Sequence, residues 1–186
     1  MQNELRNMMN PYEEILYEGK PDKMCYVLEG IFNRNLPFAL MWACFDLFFL
    51  SGILKADDNA RLMKILFVLV HMMPVWIYLW GVISTFLRYV NTDYIVTDRA
   101  VYVSSGGFNV NCQRKAHRDC VCVELERGHF DRLCRAGDLI VLAKQETMLD
   151  GGDVIKMSCL SDYRKVYSLL EQLQEEAAVR TGEQND

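Results

Sequence analysis

The sequence predicts an α+β protein with a membrane anchor: a two-helix transmembrane hairpin, then an antiparallel β-barrel capped by a C-terminal helix. Three observations carry this. Residues 36–54 hold one formal charge, and residues 65–87 hold none. After them the apolar period changes from that of a helix to that of a strand. The last long segment carries an apolar stripe at helical spacing, and such a stripe needs a surface to lie on.

Residues 1–35 are expected to form a cytoplasmic N-terminal segment. YEEILYE (12–18) reads as a short strand that Gly19 and Pro21 end. In residues 22–34, Met24, Val27, Leu28 and Ile31 fall at helical spacing, which suits an interfacial helix. Acidic residues from Glu4 to Glu29, with no short apolar core, exclude a cleavable signal.

Residues 36–87 then form the hairpin, with spans 36–54 and 65–87. At about 1.5 Å per residue these helices reach roughly 28 and 34 Å, against a bilayer core of about 30 Å. Neither carries the polar stripe of a soluble helix. The turn KADDNARLMK is short, so both ends of the chain face one side. Lys20, Lys23 and Arg34 before the first span, with Arg88 and Arg99 after the second, tilt both termini towards the cytoplasm. Lys55, Arg61 and Lys64 in the turn weigh against this. Seven cysteines at irregular positions do not read as a disulfide framework and favour a reducing compartment. The expected location is the cell membrane, multi-pass.

Residues 92–179 are expected to form the soluble domain. Tyr94–Val96 and Ala100–Val103 flank a tight turn at Thr97-Asp98-Arg99, and Gly106-Gly107 makes the next turn. FNVNCQR (108–114), CVCVELE (120–126), DLIVLAK (138–144) and VIKMSCL (154–160) follow as strands. In 120–126, alternation places Val121, Val123 and Leu125 on the core face, opposite Cys120, Cys122, Glu124 and Glu126. Ser161 caps a helix over 162–179, where Val166, Leu169, Leu170, Leu173 and Ala177 form the apolar stripe. The tail 180–186 has nothing to bury. Antiparallel strands closed by one such helix describe a pleckstrin-homology-like (PH-like) barrel.

The segment YIVTDRAVYVSSGG, placed straight after two spans, resembles the bacterial membrane-anchored PH-domain proteins. EEILYEGKPDK looks like that family's opening segment, and FDRLCRAGDLIVL (130–142) like a later one. The residues that carry the resemblance are Tyr94, Thr97, Arg99, Gly106, Gly107, Asp131 and Gly137. Ala100, where a basic or bulky residue is usual, and the long loop at 145–153 depart from the pattern. The resemblance implies a tethered PH-like domain that serves binding or assembly rather than catalysis.

Asp46 and His71 are the costliest residues of the spans. A charged side chain at mid-bilayer costs about 2.5–3.5 kcal/mol on insertion scales. Counted from the shared turn, the two sit at nearly the same level, so a hydrogen-bonded pair would clamp the hairpin. A contact to another membrane protein and a proton relay are the other readings. Arg114, Lys115 and Arg118 are candidate contacts for anionic headgroups, and a solvated turn is the plainer account of them. His117, Cys120, Cys122, His129 and Cys134 lack the spacing of a zinc knuckle.

No nucleophile elbow, phosphate loop, zinc-protease motif or paired carboxylates appear, so no enzyme activity, cofactor or metal is expected. A net charge of −5 without a basic stripe excludes nucleic-acid binding. The expected partners are membrane lipids and either further copies of the chain or another membrane protein. The expected role is a non-catalytic binding and assembly module at the cytoplasmic membrane face. An accessory subunit of a transporter or membrane enzyme using Asp46 and His71, and an anionic-lipid sensor, are the alternatives.

Overall fold

The computed structural model describes residues 2–55, 61–143 and 154–183. The expected loop at 145–153, the middle of the turn between the spans and the last three residues lie outside the described residues. The chain divides into two compact units, one of residues 1–27 with 87–186 and one of residues 28–86.

The first unit holds two antiparallel sheets. Strands β1 (Ile15–Gly19), β2 (Asp93–Thr97), β3 (Ala100–Ser105) and β4 (Asn111–Ala116) form one, in chain order. Strands β5 (Cys120–Glu126), β6 (Gly137–Ala143) and β7 (Val154–Leu160) form the other, also in order. The expected closed barrel is therefore not what forms. A short 3₁₀ turn at His117–Asp119 separates β4 from β5, and each sheet keeps its own edges.

The main core lies between the two sheets and the long helix Tyr163–Glu183. Tyr94, Val96, Val101 and Val103 from the first sheet meet Leu139, Val141, Ile155 and Met157 from the second, under Val166, Leu170 and Leu173. Alternation along β2 and β3 sends Ile95, Ala100 and Tyr102 to the opposite face, where Leu5 of helix α1 (Gln2–Met8) covers them. Both strands are thus buried on both faces. Helix α2 (Lys23–Ile31) follows β1 and buries Cys25.

In β5 the expected faces change. A register shift between Cys120 and Cys122 inserts an irregularity into the pairing with β6. Cys120 and Val123 then pack towards the core, while Val121 and Leu125 are exposed. A one-residue slip exchanges faces because the side-chain period of a strand is two.

The second unit is helical: α3 (Leu36–Lys55), α4 (Arg61–His71) and the greater part of α5 (Met73–Val90). Only α3 is by itself long and apolar enough to cross a membrane among the described residues. The segment expected as the second span, 65–87, is bent: α4 and α5 meet at 47° at Met72. Pro74 is the physical reason, since it lacks an N–H and its ring crowds the preceding turn. Two indoles serve carbonyls near the end of α4. Trp76 Nε1–H donates to Leu69 O at 3.1 Å, and Trp42 Nε1–H to His71 O at 2.9 Å. Most large apolar side chains of α3, α4 and α5 are exposed, which is the distribution a lipid solvent favours.

Candidate functional site

In the helical unit, Asp46 stands in the middle of α3 and His71 ends α4. His71 Nδ1 lies 2.7 Å from Asp46 Oδ1, and the Asp46 side chain is 2% exposed. Trp42 and Phe67 stack on the imidazole, with ring centroids 5.0 and 5.6 Å away. Asp46 Oδ2 is buried without a hydrogen-bond partner among the described residues. The arrangement can tie α3 to α4 and can pass a proton between imidazole and carboxylate.

In the first unit, the β2–β3 turn is built around Thr97 and a buried glutamate that sequence reading passed over. Thr97 Oγ1 accepts from Ala100 N–H at 3.0 Å, and its hydroxyl reaches Glu13 Oε2 at 2.9 Å. Tyr102 O–H donates to the same oxygen at 3.0 Å. Burial raises the Tyr102 phenol above its ordinary range. Arg114 Nη2 lies 3.4 Å from Glu13 Oε1, and its Nε–H donates to the Tyr102 hydroxyl at 2.9 Å. Arg99 stays exposed, beside Asp98. Arg114 is thus engaged by Glu13 and Tyr102 at the sheet surface, Lys115 of β4 lies opposite Val101, and Arg118 pairs with Asp119 at 3.6 Å.

Gly106 has a φ of 150°, and a Cβ there would come within 1.9 Å of Asn109 O, so the turn depends on glycine. Gly107 O accepts from Asn91 Nδ2 at 2.6 Å. Gly137 leaves room for the Tyr163 ring. Asp131, the third residue of the short helix α6 (His129–Cys134), accepts from Gly128 N–H at 2.7 Å and so fixes the start of the helix.

The cysteines and histidines of 117–134 do not gather into one ligand group among the described residues. His117 is buried, and its Nε2–H donates to Thr97 O at 2.9 Å. Burial pushes its pKa below the ordinary 6.5, and among the described residues Nδ1 has no partner to hold a second proton. Burial pushes the Cys120 thiol up to about 11, the opposite of what a reactive thiol needs. The His117 shift has a consequence for stability. Above 6.5 the group is neutral in both states. Below 6.5 the unfolded chain binds the proton first, so stability falls as pH falls. Thermal melts in detergent are expected to show this decline, and His117→Gln to reduce it.

One further feature was not legible in the sequence. At the start of helix α7 (Tyr163–Glu183), a groove of about 510 Å³ is lined by Arg127, Arg135, Arg164 and Lys165 with Ser161, Asp162 and Tyr163. Arg127 and Arg164 stand over the Tyr163 ring at 5.0 and 5.7 Å, cation–π contacts that hold both guanidinium groups in place. Four cations against one carboxylate beside a helix N-terminus favour an anionic ligand. These residues come from three separated segments, so no local pattern announces them.

The family model described as "Bacterial PH domain" matches residues 45–174. No curated protein and no solved structure matches the chain.

Proposed function

Because the chain belongs to the bacterial PH domain family, whose domains are typically non-catalytic binding modules, we propose that it is a membrane-anchored module mediating assembly at the cytoplasmic membrane face. Its partner on this reading is a further copy of itself or another membrane protein. The observation that carries the proposal is the exposed apolar surface of α3, α4 and α5, on a chain that continues directly from α5 into β2. Helix α3 supplies a span, and the bent pair of α4 and α5 a second crossing that completes a hairpin. Asp46 and His71 then act as a clamp inside the anchor, offsetting part of the cost of burying a carboxylate.

Among the described residues β1 and β4 in one sheet and β5 and β7 in the other pair along one side only, and β5 exposes Val121 and Leu125. Such edges are ready surfaces for strand addition by a partner. Membrane extraction tests the anchor. The full chain is expected to stay in the membrane pellet through an alkaline carbonate wash, and quantitative release into the supernatant would contradict it.

A second reading, an anionic-lipid sensor, is favoured by the groove of Arg127, Arg135, Arg164 and Lys165. It predicts that the detergent-purified chain binds phosphatidylglycerol nanodiscs with an affinity that falls as salt rises. Arg135→Glu should weaken that binding, and equal binding to neutral lipid would exclude the reading.

A further inference from the structure

We propose that Cys25, Cys159 and Asp131 form a divalent-metal site of zinc type inside the first unit. The two thiols and a carboxylate oxygen all lie within 4.8 Å of one another. Cys25 and Cys159 are fully buried and Asp131 is 1% exposed. The residues come from three remote elements: Cys25 from α2, Asp131 from α6, and Cys159 from the end of β7.

The carboxylate is held in place. Gly128 N–H fixes Asp131 Oδ2 at 2.7 Å, and Cys25 Sγ lies 3.2 Å from Oδ1. Cys159 is held as firmly. Its N–H donates to Asp138 Oδ1 at 2.8 Å, and its carbonyl accepts from Asp22 N–H at 2.6 Å. Its backbone sits at φ 54°, in the left-handed region that glycine would occupy without strain. A cysteine there accepts the strain and places a thiol at the cluster.

The chemistry of the donors selects the metal. Two sulfurs and one carboxylate suit zinc, whereas magnesium and calcium require oxygen ligands. Ligands about 2.3 Å from a tetrahedral ion lie about 3.8 Å apart. The donors therefore close on an ion with shifts of about an ångström. Binding would release the Cys25 and Cys159 thiol protons to solvent, with no change of oxidation state. Water completes the tetrahedron. Such a site would tie α2 and α6 to the end of β7, a structural rather than catalytic role.

Cobalt titration of the full chain in detergent tests this. Co²⁺ is expected to bind at one per chain, with thiolate-to-cobalt charge-transfer absorption that Zn²⁺ abolishes and with the release of two protons. Cys25→Ser with Cys159→Ser should lose the band, and Cys122→Ser should keep it. No charge-transfer band at saturating Co²⁺ in the folded wild-type chain would overturn the site, whatever the variants do. So would a band that persists in the double variant, or a Cys25–Cys159 disulfide in freshly purified chain.

Discussion

Replacing Tyr94 with alanine is expected to lower stability by about 3–5 kcal/mol, the cost of emptying a buried aromatic site. Tyr94 is 1% exposed and lies in the core between the sheets. Its hydroxyl accepts from Ser158 N–H at 2.9 Å and donates to Ser158 O at 3.1 Å. One side chain thus joins β2 of the four-stranded sheet to β7 of the three-stranded one. Burial holds the phenol well above its ordinary pKa, so it remains a donor throughout the physiological range. Tyr94→Phe keeps the ring and leaves the two backbone groups of Ser158 unpaired, for a loss of about 1–3 kcal/mol. Unfolding followed by far-ultraviolet circular dichroism in detergent separates the two. If alanine cost no more than phenylalanine, ring packing would not be what joins the sheets.

Glu13→Ala is the second large effect. The Glu13 side chain is 1% exposed and accepts from Thr97, Tyr102 and Arg114. Its removal leaves two buried hydroxyls and a guanidinium without their shared acceptor. Arg114 is 44% exposed and recovers water, so its share is discounted. A loss of about 2–4 kcal/mol is expected, chiefly from the stranded Tyr102 hydroxyl, since Thr97 O–H can still donate to Ala100 O at 3.0 Å. Glu13→Gln retains an acceptor and should cost less. Equal melting of Glu13→Ala and the wild type would mean that the β2–β3 turn holds itself.

Much of the architecture was legible because it rests on local pattern. The charge-free run before Arg88 and the alternation in Tyr94–Val96 and Ala100–Val103 each announce their element. What was not legible depends on distance. Leu5 covers Ile95 and Tyr102 from a helix whose own sequence is mostly polar, so nothing local marks it. The register shift at Cys120–Cys122 exposes Val121 against the alternation, because pairing with β6 rather than period sets the register. The barrel does not close, since strand count says nothing of how β4 meets β5.

The candidate site divides in the same way. Asp46 and His71 stand out in an apolar run, and counting from the shared turn places them at one level. The structure brings them to 2.7 Å. Glu13 looks like one of several surface acids until Thr97, Tyr102 and Arg114 are folded around it. Cys25 and Asp131 are 106 positions apart, a separation at which spacing carries no information. The four cations around Tyr163 are likewise assembled only by the fold.

Assembly at a membrane is the role proposed above for this chain. In-cell crosslinking of the tagged full chain at native abundance, followed by mass measurement of the gently solubilised complex, tests it most directly. The account predicts a defined complex: a ladder of this chain alone, or a fixed ratio with one other membrane protein. A chain that remains monomeric and uncrosslinked in the membrane would contradict it.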